Sequence, residues 1–245
     1  MRLALISDIH GNKVALDAVL DAIATEKIEH IVCLGDVAAT GPQPQKVVER
    51  LKKLGCPIVM GNTDAYLLNP QLKETEDTFQ QYIQDIGLWC SQQLSDADKA
   101  FMNTFQPTIE YPLDSGKILL SYHGSPRSYN EQIHPVTPEE QLAEAFAGFS
   151  ATIFAGGHTH MQMFRRYKDG LIINPGSVGL ALDRVAPLDE ARNPPWAEYA
   201  IIEVEGNKLG VELLRVPFNI QAFIQTIQTS GMPHADWLAN EWNNS

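Results

Sequence analysis

Seven side chains that could bind metal ions follow short apolar runs in the first 160 residues. They comprise two carboxylates, four imidazoles and one amide: Asp8, His10, Asp36, Asn62, His123, His158 and His160. Each of the five runs before them has the length of a buried strand. In open α/β sheets, ligands bind outside the carboxyl ends of the strands. The pattern therefore predicts that these donors meet at one edge of the fold.

The number and type of these donors predict the metals. Seven donors are too many for one tetrahedral ion, but with one shared carboxylate they suit two adjacent transition-metal ions. Imidazole mixed with carboxylate disfavours magnesium and calcium. We therefore expect two divalent ions per chain, with manganese as the first choice and iron, zinc, nickel or cobalt as alternatives.

The spacing of apolar residues predicts the elements that must position the donors. Leu16, Val19, Leu20 and Ile23 follow the spacing of one helix face, and a second helix ends at Gly55. Apolar and alternating runs predict strands at 3–7, 31–34, 58–60, 108–113, 117–122, 151–155, 162–167, 171–173, 198–205 and 208–216. Further helices are expected after a capping box at Thr137 and in the last thirty residues.

The chain is expected to form one domain over residues 1–245, with a mainly helical insert at about 65–105. Strand–helix–strand units with short joints predict an α/β sandwich whose first half is mostly parallel. Ser95 with Asp98 predicts the start of one helix in the insert.

The order of the motifs resembles that of the calcineurin-like metallophosphoesterase superfamily. The motifs are Asp8-X-His10, Gly35-Asp36, Gly61-Asn62, His123-Gly124 and Gly157-His158-X-His160. The later Asn174-Pro175-Gly176-Ser177 is similar to a motif of the small phosphodiesterase branch from bacteria and archaea. This resemblance implies a four-layer α/β/β/α sandwich with mixed sheets.

The resemblance also implies a role for each donor. Asp8, His10 and His160 would bind one metal. Asn62, His123 and His158 would bind the second, and Asp36 would bridge both. Asp36, Asn62 and His123 are the expected catalytic residues.

These roles predict a hydrolase that acts on small phosphodiesters, with nucleotides among the candidates. Two dications would neutralise the phosphate and lower the pKa of a bridging water toward roughly 7, so that a bridging hydroxide attacks phosphorus. The alternatives are a phosphomonoesterase, a protein phosphatase, a dinucleoside-polyphosphate hydrolase and a non-catalytic metal-binding scaffold.

Thr63 departs from the family pattern. Many members have a histidine after the asparagine, which is thought to protonate the leaving group as a general acid. Threonine has no titratable proton near neutral pH, so reactions that need strong leaving-group protonation are in doubt. Asp64, which would orient that histidine, has either a catalytic role or a loop-capping role here.

Two residues are candidates for contact with substrate. Arg127 follows His123 by four positions, and its planar guanidinium could bind a phosphate. Asn12 is expected either to contact substrate or to cap the first helix.

Charge and hydropathy restrict the partners. With 30 acidic and 18 basic residues the formal net charge is −12, which disfavours a long nucleic-acid track. A small phosphoester remains compatible because metal ions reverse the local charge. No apolar run is long enough to span a membrane. Cys33, Cys56 and Cys90 lie outside any CxxC pattern and fit a reduced, cytoplasmic protein. The oligomeric state stays open.

Overall fold

The structure, a computed structural model, describes residues 1–183 and 192–243. The strands are β1 (Arg2–Ile6), β2 (His30–Cys33), β3 (Ile109–Pro112), β4 (Ile118–Ser121), β5 (Ile153–Ala155), β6 (Gln162–Tyr167), β7 (Gly170–Pro175), β8 (Trp196–Glu205) and β9 (Lys208–Pro217). The helices are α1 (Lys13–Thr25), α2 (Pro44–Leu54), α3 (Asn62–Leu68), α4 (Thr78–Gln93), α5 (Asp96–Met102), α6 (Glu139–Ala145), α7 (Ile220–Thr229) and α8 (Ala235–Asn243).

These strands form two mixed sheets. The first sheet has the order β2-β1-β8-β9, in which β1 pairs parallel with β2 and antiparallel with β8. The second sheet has the order β3-β4-β5-β7-β6, with parallel pairs at its centre and an antiparallel pair at each edge. The expected combination of parallel and antiparallel pairs is confirmed.

The two sheets pack face to face with helices outside, which confirms the four-layer arrangement. Side chains alternate along β1, as the period of a strand requires. Leu3 and Leu5 enter the core between the sheets, whereas Ala4 and Ile6 enter the core beneath the helices of the first layer. On the far side of the second sheet, Phe146 at the end of α6 packs against Phe154.

Helix α1 follows its sequence pattern closely. Leu16, Val19, Leu20 and Ile23 form its buried face, as their spacing predicts. The Asn12 side chain caps this helix by accepting the Ala15 N–H at 2.9 Å. The loop that follows β1 therefore ends at Asn12, where the first helix begins.

The predicted 65–105 segment contains the rest of α3 together with α4 and α5. Ser95 and Asp98 form the expected capping box of α5. That this segment is an insert within one domain stays a prediction.

Two local predictions were wrong. Residues 58–60 do not form a strand; Ile58 and Val59 make only single bridges, to Cys33 and Gln106. Pro57 precedes this short run, and helix α3 begins at Asn62, which leaves no length for a ladder. The capping box at Thr137 is also absent, because the Thr137 hydroxyl accepts the His134 N–H and Pro138 precedes α6.

Within residues 1–183 and 192–243, no helix is both long and apolar enough to cross a membrane.

Candidate metal centre

The fold brings all seven predicted donors to one edge. Asp8 and His10 follow β1, Asp36 follows β2, and His123 follows β4. His158 and His160 follow β5, and Asn62 is the first residue of α3. Five points along the chain therefore supply one site, as the pattern of strand ends predicts.

Asp8, His10 and His160 form the first of two donor groups. One ligand atom from each lies within 4.8 Å of the other two. The Nε2 atoms of His10 and His160 are 3.1 Å apart, and Asp8 Oδ1 is 3.3 Å from His160 Nε2.

Asp36, His123 and His158 form the second group, within the same 4.8 Å limit. Asp36 Oδ2 lies 3.3 Å from His123 Nε2. Asn62 joins this group, because its Oδ1 is 3.0 Å from the same nitrogen.

These spacings fit divalent metal ions. Neighbouring ligands that each lie about 2.0–2.2 Å from one ion are roughly 2.8–3.6 Å apart in tetrahedral or octahedral geometry. The four shortest donor separations, 3.0, 3.1, 3.3 and 3.3 Å, fall in that range. Imidazole nitrogens and carboxylate oxygens suit manganese, iron, zinc, cobalt or nickel. The residues present therefore fit divalent transition metals.

Asp36 lies between the two groups. Its Oδ2 is 3.3 Å from His123 Nε2 and 3.7 Å from His10 Nε2. Its Oδ1 accepts the Thr63 N–H at 2.9 Å. One oxygen therefore fixes the side chain, and the other faces both groups.

Asp8 divides its oxygens in the same way. Oδ2 accepts a hydrogen bond from the Ser7 hydroxyl at 2.5 Å and one from the His158 N–H at 3.1 Å. Oδ1 faces His160 and His10. Ser7 was missed by the sequence analysis because it lies inside a predicted strand, where no motif marks it.

Backbone carbonyls orient two of the imidazoles. His123 Nδ1 lies 2.8 Å from the Leu34 carbonyl, and His160 Nδ1 lies 2.8 Å from the Leu180 carbonyl. Since a carbonyl only accepts, each Nδ1 carries the proton, and each Nε2 of the neutral ring presents a lone pair to the site. His10 Nδ1 is buried without a partner among the described residues.

Five donors have left-handed backbone conformations, with positive φ angles. The angles are 53° at Asp8, 48° at His10, 52° at Asp36, 67° at His158 and 58° at His160. Such angles are uncommon for residues other than glycine and concentrate at functional sites. The surrounding hydrogen bonds must therefore hold these loops against their local preference.

Asp64 holds the Asp36 loop. It is fully buried and accepts the N–H groups of Asp36, Val37 and Gly61 at 2.8, 2.9 and 3.1 Å. Gly61 also has to be glycine, because a Cβ there would lie 2.0 Å from Asp36 Oδ1. Of the two roles expected for Asp64, these contacts match the loop-capping role.

Ser177 holds the Asp8 loop from the other side. Its buried hydroxyl donates to the Asp8 carbonyl at 2.7 Å and accepts the Leu180 N–H at 2.8 Å. The Asn174-Pro175-Gly176-Ser177 motif therefore contacts the backbone of the donor loop through the Ser177 side chain.

The buried charges shift the pKa values of the donors. Burial lowers the pKa of His123, but the charges of Asp36 and Asp8 outweigh burial and raise it to about 10. Burial and the neighbouring charge of His160 lower the pKa of His10 to about 4. Burial raises the pKa of Asp36, but the charge of His123 outweighs it and holds the pKa well below its usual range. A metal ion that binds His123 would therefore have to displace a proton from this ring.

The two candidate substrate contacts are engaged elsewhere. Arg127 makes a two-pronged ion pair with Glu131, at 2.9 Å through Nε and 2.5 Å through a terminal nitrogen. Asn12 is buried, and its amide nitrogen donates to the Gly179 carbonyl at 3.3 Å while its oxygen caps α1. A substrate contact of either residue stays a prediction.

Comparison with known proteins extends the likeness over the whole chain. An uncharacterized protein of Methanocaldococcus jannaschii is 29% identical over 96% of this chain and 95% of its own length. A metallophosphoesterase from Sphaerobacter thermophilus superposes with a TM-score of 0.75 and 26% identity, over 98% of this chain and 99% of that one. A hypothetical protein from Pyrococcus horikoshii has the same fold, with a TM-score of 0.78 at 17% identity over 98% and 96% of the two chains.

A match to a protein-family domain confirms the resemblance that the motifs indicate. Residues 1–207 match the calcineurin-like phosphoesterase superfamily domain. Because this match covers most of the 245 residues, the protein belongs to the calcineurin-like phosphoesterase superfamily.

Proposed function

We propose that this protein hydrolyses small phosphodiesters with the help of two divalent transition-metal ions. The observation that carries the proposal is the position of Asp36 Oδ2, 3.3 Å from His123 Nε2 in one donor group and 3.7 Å from His10 Nε2 in the other. A carboxylate oxygen that faces two donor groups is placed to bridge two adjacent ions.

The chain divides its donors between the two ions. Asp8, His10 and His160 would hold the first ion, and Asn62, His123 and His158 would hold the second. Asp36 would serve both ions. Divalent ions held by these residues would act as Lewis acids toward the phosphate oxygens and would lower the pKa of a water molecule. Because Leu34 and Leu180 fix two rings through Nδ1, the site is arranged before substrate arrives.

The leaving group must depart without a histidine acid at position 63. Asp64 cannot replace that histidine, because both of its oxygens accept backbone N–H groups. Thr63 offers only a hydroxyl, which does not titrate near neutral pH. We therefore propose esters whose leaving groups are acidic enough to depart as anions.

The metal and the compartment are parts of the same proposal. The donors mix imidazole with carboxylate, which suits manganese, iron, zinc, cobalt or nickel, and we propose manganese as the first choice. A cytoplasmic location is supported by three cysteines that are free in the structure, Cys33, Cys56 and Cys90.

Turnover of two chromogenic esters tests the proposal. The metal-free protein is loaded with Mn²⁺ and assayed with bis(p-nitrophenyl) phosphate and with p-nitrophenyl phosphate. We expect metal-dependent turnover with a higher kcat/KM for the diester. A higher kcat/KM for the monoester would indicate a phosphomonoesterase. Tight metal binding without turnover of either ester would indicate a non-catalytic scaffold.

A further inference from the structure

His158 and His160 belong to different donor groups although only one residue separates them. His158 lies in the group of Asp36, and His160 lies in the group of Asp8. In an extended segment, side chains two residues apart point to the same face. Here both histidines have left-handed backbone angles, 67° and 58°, so the segment is folded and not extended. The direction of each ring therefore depends on what holds this segment in shape.

The segment closes on itself around His158. The Thr159 N–H donates to the Gly157 carbonyl at 2.8 Å, which makes residues 157–159 a γ-turn. Because φ at His158 is positive, this is the rare and strained form of the turn. A strained backbone persists only where neighbouring contacts hold it. Contacts from outside the turn must therefore hold the residue that carries the His158 ring.

The side chain of Asn174 supplies such contacts from the neighbouring strand. Asn174 lies in β7, one residue past the pair that Ile173 forms with Ala155 of β5. Its Nδ2 donates to the Gly157 carbonyl at 2.7 Å and to the Thr159 hydroxyl at 3.0 Å. Asn174 is 2% exposed, so its amide is shielded from water. One amide group therefore ties together the first and the last residue of the γ-turn.

The Asn174 amide has only one orientation that satisfies its neighbours. Its Oδ1 accepts the Gly176 N–H at 2.8 Å, and a backbone N–H can only donate. Its Nδ2 faces the Gly157 carbonyl, which can only accept. An aspartate at this position would place a second oxygen against that carbonyl. Asparagine therefore fits the position, and aspartate does not.

We propose that Asn174 is a positioning residue for the metal centre, which holds the γ-turn at residues 157–159 and so directs His158 to one donor group and His160 to the other. This inference rests on the proposed function, because the two histidines would hold different ions. Asn174 acts on the turn that carries these histidines, whereas Ser177 acts on the Asp8 loop. Loss of the Asn174 hydrogen bonds should therefore weaken the binding of both ions.

Calorimetric titration of the metal-free protein with Mn²⁺ tests the positioning role. Asn174→Asp keeps the size of the side chain and the bond to Gly176 but removes the NH₂ donor, and Thr159→Val removes the accepting hydroxyl. We expect each variant to bind both ions about 10–100-fold more weakly than the wild type, the range found for groups that orient metal ligands. Thr159→Ser keeps the hydroxyl and should bind both ions with wild-type affinity.

Two controls make the same chemical changes away from the donors. Asn219→Asp alters the cap of α7, where the side-chain oxygen accepts the Ala222 N–H, so aspartate caps equally well. Thr226→Val removes a hydroxyl that donates to the Ala222 carbonyl within α7. Both controls should bind two ions with wild-type affinity, even where urea unfolding shows a loss of stability.

Hydrogen exchange at the Thr159 amide, followed by NMR in the metal-free protein, gives a readout that does not depend on metal. This amide closes the γ-turn. We expect it to exchange about tenfold faster in Asn174→Asp than in the wild type and in Asn219→Asp, measured relative to the Ile201 amide in β8.

The outcomes separate this inference from the proposed function. Unchanged affinities for both ions, weaker binding of one ion alone, or unchanged exchange at Thr159 would overturn the positioning role and leave the proposed function standing. A wild type that binds no Mn²⁺, together with faster Thr159 exchange in Asn174→Asp, would overturn the proposed function and keep Asn174 as the residue that holds the turn.

Discussion

The Thr63 N–H donates a hydrogen bond to Asp36 Oδ1 at 2.9 Å, so the residue that replaces the family's histidine still positions the central carboxylate. This contact leaves Asp36 Oδ2 facing both His10 and His123. The backbone at position 63 therefore has a structural task that is independent of its side chain.

Asp36→Asn is expected to remove one or both metal ions and nearly all hydrolytic activity. An amide has a single oxygen and no charge, so it cannot both accept the Thr63 N–H and bridge two cations. Elemental analysis and diester turnover check this outcome. Asp17→Asn, a half-exposed carboxylate on α1 that pairs with Lys13, is the matched control and should retain both properties. Full turnover by metal-loaded Asp36→Asn would contradict the bridging role.

Asp64→Asn should reduce both stability and metal affinity. The carboxylate accepts three backbone N–H groups, whereas an amide would turn its NH₂ toward at least one of them. We expect a loss of about 1.5–3 kcal/mol in the free energy of unfolding, measured with urea. Asp77→Asn is the control, because Asp77 caps α4 through one oxygen and asparagine caps equally well. An unchanged urea midpoint in Asp64→Asn would show that the loop does not depend on this carboxylate.

Ser177→Ala separates positioning of the metal loop from general stability. Loss of its hydrogen bond to the Asp8 carbonyl should weaken Mn²⁺ binding by about 10–100-fold, the range found for groups that orient metal ligands. Ser91→Ala removes a comparable buried hydrogen bond to Leu67, also 2.7 Å long, away from the donors. Calorimetric titration should show weaker binding in Ser177→Ala alone. Equal metal affinity in the two variants would show that Ser177 does not position the metal ligands.

Asp98 should make stability depend on pH. Burial raises its pKa, but hydrogen bonds from Lys52 and Ser95 outweigh burial and hold the pKa below its ordinary value. The unfolded chain therefore takes up the proton first, so this contribution is complete above a pH of about 4 and is lost as the pH falls through the folded-state pKa. Asp98→Asn should cost about 1–2 kcal/mol of unfolding free energy at pH 7 and less at pH 3.5, measured with urea. A cost that does not change with pH would contradict the ion pair.

Much of the site could be predicted because its donors follow buried apolar runs. Leu3 and Leu5 lie on one face of β1 and Ala4 and Ile6 on the other, and the end of this apolar run marks where the strand ends. Asp8 and His10 then emerge at the sheet edge with the donors of the other strands. Residues 58–60 form only single bridges and no strand. They still run toward the same edge as the strands, so Asn62 at the start of α3 lies where the sequence predicts.

The remaining features depend on contacts between residues distant in sequence. Ser7, Leu34 and Leu180 act through one hydroxyl and two carbonyls, and a backbone carbonyl leaves no mark on residue type. The left-handed angles of the donors run against local preference, so they too arise from the tertiary structure.

The most direct test of the proposed dinuclear centre is the number of metal ions that the chain binds. Metal-free protein is titrated with Mn²⁺ in a calorimeter, and the bound metal is counted by elemental analysis after dialysis. The two donor groups joined by Asp36 predict two ions per chain in the wild type. A stoichiometry of one ion, or of none, would contradict the account.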